Sequence, residues 1–479
     1  MRANDQLVPL GDVVKPIRPR VKPTENPDLP FIGMEHVEAH TMKLLGTVPA
    51  SEMKSASVRF QPGDVLYGRL RPYLNKVVRP TFGGLCSAEF IVFPENDRVD
   101  GKYLQYFLNS SAFVNFATHL NAGDRPRVDF DQIAAFEIPL RTIDEQHRIV
   151  AEIEKQFSRL DQAVASLRRV KAQLKRYKAS VLKAAVEGRL VETEAERARR
   201  EGRGFETGTE LAAQGSATAA RGRKPGAALP YETGEQLLKR ILETRRSQWK
   251  GKGKYKEPAA PETAGLPELP EGWCWSSTDQ LAEVGTGATP NRSNATFFDG
   301  GDIPWVTSAV VNAPFVDKAS ELVTRAALLQ TNLTEYPPGT LLVAMYGEGK
   351  TRGKCSELRI TAATNQALAA VQADPSVRSY LKIFLEHNYE ETRKVASGGV
   401  QPNLNLSLVR AIRVPLPPLR EQHRIVAEVD RRLSIVREVE AEVDANLKRA
   451  QTLRQAVLAR AFGNPHQDLS SASELPTPP

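Results

Sequence analysis

"IPLRTIDEQHRIVAEI", residues 138–153, returns as "VPLPPLREQHRIVAEV" at 414–429, a separation of 276 residues. A match of this length lies outside chance, and a duplication changes what every other motif means. The same offset, without gaps, lays "GDRPRVDFDQI" (123–133) on "GVQPNLNLSLV" (399–409), and Pro62-Gly63-Asp64 on Pro338-Gly339-Thr340. The chain therefore reads as two diverged copies of one module, a globular part followed by a helix.

Both helices show in their periodicity. The first, at 139–187, places Ile153, Leu160, Leu167, Leu174 and Val181 seven apart, with Phe157 and Val164 between them. The second, at 415–463, repeats the heptad with Val429, Val436, Val443, Ala450 and Val457, and has Leu433 and Leu447 between them. These are coiled-coil seams, and Val429 is the repeat-mate of Ile153, so the two are in register. A long helix with one apolar stripe needs a partner. The simplest is its own copy, packed antiparallel as a two-fold requires, in a spacer roughly 65 Å long with one module at each end. A stripe that binds helices of other proteins is the competing reading.

The globular parts, 1–138 and 266–414, hold short apolar runs bounded by Pro and Gly, such as "RFQPGDVLYGRL", "AEFIVF", "GTLLVAMY" and "ATNQALAAV". Helical stretches follow in the same order in both copies, "DGKYLQYFLNSSAFVNFA" and "VRSYLKIFLEHNYEETRKVA". Each copy is expected to be an α+β domain. Residues 188–265 lack a clear apolar face and read as a linker with one short basic helix, "GEQLLKRILETRRSQWK", whose Leu238, Ile241, Leu242 and Trp249 point inward. Residues 464–479 are expected to be a disordered tail.

The 479 residues carry a formal charge of +8, which favours polyanionic partners. Between Lys239 and Lys256 eight cations face a single acid, Glu243, a run able to screen phosphates or simply to remain solvated. Cys86, Cys274 and Cys355 are scattered and form no CxxC pair, which argues against a disulfide framework and a zinc site. No apolar run approaches a membrane span and no signal peptide opens the chain, so the expected compartment is the cytoplasm.

"LLVAMYGEGKTRGK" (341–354) fits a degenerate phosphate-loop pattern from Ala344 to Thr351. A phosphate loop needs a helix to begin where the pattern ends, but "TRGKCSELRITAA" leans towards strand, so a P-loop NTPase is the minor alternative. The repeat-mate, "VLYGRLRPYLNK" (65–76), has no such pattern. The two regions share basic residues and tyrosines: Arg69, Arg71, Lys76 and Arg79 with Tyr67 and Tyr73, against Lys350, Arg352 and Lys354 with Tyr346. The aligned segments at 123–133 and 399–409 add Arg125, Arg127, Gln401 and Asn403 as candidate DNA contacts. Arginine forks onto guanine or phosphate and an aromatic packs on sugar or base; a solvated hairpin is the bland reading. His147 and His423 have no second ligand at i+4, and Glu145 and Glu421 read as acids facing the helix dipole. No methyltransferase loop of the Asn/Asp-Pro-Pro-aromatic type and no nucleophile–base constellation is present, so no catalytic or metal-binding residues are assigned.

The duplicated domain-plus-helix, with "EQHRIVAEIE" and "REQHRIVAEVD" opening the helices, resembles the DNA-specificity subunit of type I restriction-modification systems. Further matches are "LPELPEGWCW" (266–275), "GATP" and "GGDIPWV" within 287–306, "MYGEGKTRGK" (345–354), "TNQA" (364–367), "QPNLNL" (401–406) and "LLKRILETRRSQWKGKGKYKEP". The first globular part lacks the Gly-Trp and Ile-Pro-Trp landmarks. The resemblance implies two target-recognition domains, each reading half of a split, asymmetric site in double-stranded DNA, with a helical spacer setting their separation. It implies a chain that is not itself an enzyme and binds no cofactor. Two modification subunits would bring S-adenosylmethionine and flip the target adenine, and restriction subunits would bring ATP and Mg2+. The specificity subunit of a related fused methyltransferase-nuclease system shares this architecture and stays open as an alternative.

Overall fold

The computed structural model describes residues 6–202, 231–251, 253–319, 321–346, 351–395 and 404–463, apart from the side chains of 390–395. The chain divides into two units, Met1–Lys171 with Ala441–Pro479, and Ala172–Glu440. The long helices span Ile143–Val186 and Leu419–Phe462, 44 residues each, and their bounds differ by the repeat offset at both ends.

Strand assignments in the two modules keep that offset where the framework is tightest. Val65–Gly68 and Leu341–Ala344 are repeat-mates, and both are buried at every position. Short apolar runs covered on both faces form such strands. In the first unit Val65–Gly68 lies between Val77–Val78 and Phe90–Phe93, beside a five-stranded sheet of short strands. In the second, Leu341–Ala344 lies between Leu368–Ala373 and Cys355–Leu358 in a five-stranded sheet, with a separate four-stranded sheet built on Ile303–Val306 and Ala362–Thr364. Each central strand is entered through a Pro-Gly turn, with Gly63 at φ 95° and Gly339 at φ 89°, a left-handed geometry that favours glycine. The architecture is α+β, with a globular module feeding a long helix in each copy.

The repeated Ile/Val-Pro-Leu segment is the strand that delivers the chain to its helix. Glu137–Leu140 pairs antiparallel with Gln6–Pro9, and Arg413–Leu416 with Cys274–Ser277. Two-stranded sheets tolerate the proline that a central strand would reject. The carbonyls of Pro139 and Pro415 accept hydrogen bonds of 2.7 Å from the buried hydroxyls of Tyr103 and Tyr380.

The helices pack antiparallel. In the first unit Ile153 and Phe157 meet Leu458 and Val457; Asp161 pairs with Arg454, and Lys171, ten residues later, with Asp444, ten residues earlier (2.5 Å). In the second unit Val181 and Leu182 share a core with Val429 and Leu433, the repeat-mates of Val457, Leu458, Ile153 and Phe157. The same sequence positions thus meet in each unit. Val436 and Val443 are buried, whereas Leu160, Leu167 and Leu174 are half-buried, as a seam between only two helices leaves its middle.

Three expectations need correction. The stretch after the first helix is not all linker: Glu194–Arg200 is helical, capped by Thr193, with Ala195 and Ala198 buried. The basic helix spans Gly234–Ser247 and buries Leu237 and Ile241; Leu238 and Leu242 are half-buried, and Trp249, past its end, is 44% exposed. Tyr67 is core rather than surface, packed edge-on against Phe113. Residues 203–230 and the expected tail at 464–479 lie outside the described residues. Among the described residues no helix is long and apolar enough to cross a membrane, and no group of three or more His, Cys, Asp or Glu side chains could hold a metal.

Candidate nucleic-acid interface

In both modules a loop springs from the end of the central strand and is closed at its base by an equivalent backbone hydrogen bond. Gly68 donates to Lys76 O at 2.8 Å, and Ala344 donates to Lys354 O at 3.0 Å. The first loop residue in turn donates to the turn before the last strand, Arg69 to Glu89 O and Met345 to Ala367 O, both at 2.8 Å. The two loops are therefore equivalent in position and differ in length by two residues.

The first loop also meets the 121–129 segment. Leu70 bridges Arg127, Arg71 donates to Pro126 O at 2.7 Å, and Val128 donates to Arg69 O at 3.1 Å. Arg69, Arg71, Lys76, Arg125 and Arg127 thus share one surface. Charge is distributed unevenly across it. Arg69 is paired with Asp129, Arg127 with Glu89 at 2.7 Å and Arg79 with Glu95 at 2.6 Å, while Lys76 Nζ donates to Met34 O at 2.6 Å. These side chains shape the loop. Arg71 and Arg125 have no carboxylate partner among the described residues, and Tyr73 stands 41% exposed between them and the loop's far end.

The backbone here is strained. Arg71 (φ 54°) is left-handed without being glycine, at a cost of about 1–2 kcal/mol, and Asn75 (φ 45°) shares the conformation, which asparagine tolerates. The tight turn Arg71–Asn75 is held by Leu74 donating to Arg71 O and Asn75 to Pro72 O. Such geometry presents Arg71 and Tyr73 together.

In the second module the loop is a β-hairpin tip. Leu341–Ala344 pairs antiparallel with Cys355–Leu358, and Gly353 (φ 83°) donates to Ala344 O at 2.7 Å. After Thr351 come a turn and a strand, so the helix that a phosphate loop requires is missing. Tyr346 is 41% exposed, Arg352 is half-buried, and Lys354 Nζ donates to Asn312 Oδ1 at 2.7 Å, in the position that Lys76 holds in the first module. Lys350, Gln401 and Asn403 lie outside the described residues. Beside the loop, exposed Gln366 accepts from Thr289 Oγ1 at 2.5 Å. Sequence reasoning missed Glu89, Asp129, Thr289, Asn312 and Gln366. Only Thr289 and Gln366 had a signal, the "GATP" and "TNQA" stretches. "IPWV", by contrast, is framework: Trp305 is 1% exposed and donates to Ala288 O at 3.2 Å.

The repeated Glu-Gln-His element is structural. Gln146 and Gln422, both buried, donate to the carbonyl five residues back, Arg141 O and Pro417 O, each at 2.8 Å, sealing the strand-to-helix corner. Glu145 closes a capping box with Thr142. Pro418 replaces that threonine in the second copy, and Glu421 turns inward. Its carboxylate is fully buried, accepting from the Glu194 N–H at 2.8 Å and the Trp273 indole N–H at 3.1 Å. Burial pushes its pKa up to about 7. His147 lies 3.5 Å from Asp100 as a half-exposed pair.

Residues 270–445 match the type I restriction modification DNA specificity domain. The EcoDI type I restriction enzyme specificity subunit of Escherichia coli is 29% identical over 185 residues, 37% of this chain and 41% of that one. The MjaIX specificity subunit of Methanocaldococcus jannaschii is 27% identical over 164 residues, 33% of this chain and 37% of that one. These matches span about two fifths of the length of the curated relatives. In fold the likeness extends further: a chain from a structure concerned with complex assembly and conformational transition of the type I R-M system superposes with a TM-score of 0.64 at 20% identity, covering 96% of this chain and 98% of that one. The hairpin loop after Leu341–Ala344 falls within the matched residues, and its counterpart after Val65–Gly68 falls outside them.

Proposed function

We propose that this chain is the non-catalytic DNA-recognition subunit of a type I restriction-modification complex. Two modification subunits would bind S-adenosylmethionine and methylate adenine at the site it selects, and restriction subunits would bind ATP and Mg2+ and cleave. The observation that carries the reading is the pair of equivalent basic loops, closed by the same hydrogen bonds on a shared framework but different in length and sequence. A constant scaffold with variable tips suits a protein that reads two unlike half-sites. On the first module Arg71 and Tyr73 of the loop and Arg125 of the adjoining segment would meet DNA; on the second, Tyr346, Arg352 and Lys350 are the proposed contacts. Arginine supplies bidentate recognition of guanine or phosphate, and tyrosine packs on sugar or base.

The test is adenine-methylation mapping in cells that hold the modification subunits with and without this chain. Methylation should appear at one bipartite sequence only when the chain is present, and exchanging residues 1–135 for those of another specificity subunit should change one half of that sequence. Methylation unaltered by the exchange refutes the reading.

A further inference from the structure

The basic stretch from Lys239 to Lys256 belongs to neither recognition loop, and its cations divide by residue type. Arg240 is bidentate on buried Glu232 at 2.8 and 2.9 Å, Arg245 donates to the carbonyls of Asp279 and Gln280, and Arg246 Nε donates to Glu257 at 2.6 Å. With Leu237 and Ile241 in the core, these three arginines fix the helix and the turn after it to the body of the second unit.

The lysines do the opposite. Lys239, Lys250, Lys254 and Lys256 are exposed, and none has a carboxylate partner among the described residues; Lys252 lies outside them. Next to the last three in sequence are Trp249, 44% exposed, and Tyr255, edge-on to each other with ring centroids 5.6 Å apart. The intervening glycines build this turn. A Cβ on Gly251 would overlap the Trp249 ring, and Gly253 takes φ 98°. The segment that carries these lysines is thus braced by an aromatic pair.

We propose that the Trp249–Tyr255 turn is a second, sequence-independent nucleic-acid contact, binding the phosphate backbone of the duplex that the recognition loops read. The identity of the duplex rests on the function proposed above. Unpaired ammonium groups on a segment that carries an exposed indole match a backbone's chemistry, with phosphates on the lysines and a sugar or base against the ring. A lipid surface fits less well, because the helix buries its apolar face in the unit and leaves only Trp249 to enter a bilayer.

The experiment compares the full-length chain with the triple variant Lys250→Ala/Lys254→Ala/Lys256→Ala, and separately with Trp249→Ala, binding a sequence-randomised duplex across a salt series by fluorescence anisotropy. For the triple variant, affinity near 0.15 M salt should fall on the order of tenfold to a hundredfold, and the slope of log affinity against log salt should shrink by roughly 2 to 3. Trp249→Ala should weaken binding several-fold with little change in slope. Expressed with the modification subunits, both variants should methylate more slowly at an unchanged sequence. Wild-type affinity and slope in the triple variant would overturn the inference and assign the lysines to an acidic protein partner. If that happens while the wild type still directs sequence-specific methylation, only this inference falls. A wild type that neither binds duplex nor directs methylation takes the functional reading down with it.

Discussion

Glu421→Gln tests how the second module is fastened to its helix. The carboxylate is fully buried, and two N–H donors, the Glu194 amide and the Trp273 indole, point at it. Arg424, paired with Glu194 at 2.5 Å, is a cation that favours its ionised form, and Glu194 is an anion that opposes it. Desolvation outweighs these partners and lifts the pKa from 4.5 to about 7. The sign follows from proton counting. Between those values the folded chain keeps a proton that the unfolded chain has released, so this group's contribution to stability declines as pH rises through the window. At about 1.4 kcal/mol per pH unit, the cost of burying the ionised form reaches roughly 3 kcal/mol above pH 7 and vanishes below pH 4.5. Glutamine removes the charge and keeps one acceptor, losing about 1 kcal/mol of hydrogen bonding at every pH. Relative to wild type, the variant should therefore be slightly less stable at pH 5 and more stable at pH 8. All four tryptophans, Trp249, Trp273, Trp275 and Trp305, lie in the second unit, so fluorescence-detected urea unfolding reports on that unit alone. A stability difference between wild type and variant that is the same at pH 5 and pH 8 refutes the assignment of a strained buried carboxylate.

Arg71→Ala and Tyr73→Ala should each relax one half of the methylated sequence by about 1–3 kcal/mol of discrimination and leave the other half intact, read by methylation mapping. Leu458, fully buried against Ile153 and Phe157, should cost about 3 kcal/mol on truncation to alanine, seen as faster amide exchange over residues 149–160. Its repeat-mate change Leu182→Ala should cost a similar amount and be visible by tryptophan fluorescence. The intact chain should bind no ATP by calorimetry; micromolar binding abolished by Lys350→Ala would restore the phosphate-loop reading.

The repeat offset alone places both long helices and the central strands, because each is set by a local period of apolar residues that duplication preserved. The two candidate loops were read from the same offset, as basic stretches with tyrosines that follow the paired strands. What escaped was partnership. Nothing around Arg69 or Arg127 says that Asp129 and Glu89 neutralise them, since those acids arrive from the N-cap of the short helix Phe130–Ile133 and the turn before Phe90–Phe93. The eight cations of 239–256 look alike in a row, yet Arg240 and Arg246 pair with Glu232 and Glu257 close by in sequence and Arg245 reaches the carbonyls of Asp279 and Gln280, while four lysines have no carboxylate partner among the described residues.

By itself the sequence determined a duplicated α+β module, a seam in register between two helices, and a variable basic loop after each central strand. These rest on periodicity and self-comparison, which need no knowledge of what lies across a gap. Only the tertiary structure decided the fates of identical residues. The Glu-Gln-His element holds the same glutamine corner in both copies, but its glutamate is a surface cap beside Thr142 and a buried, desolvated acceptor where Pro418 stands instead. Burial, ion pairing and pKa depend on neighbours brought from far along the chain, and those are fixed when the units pack.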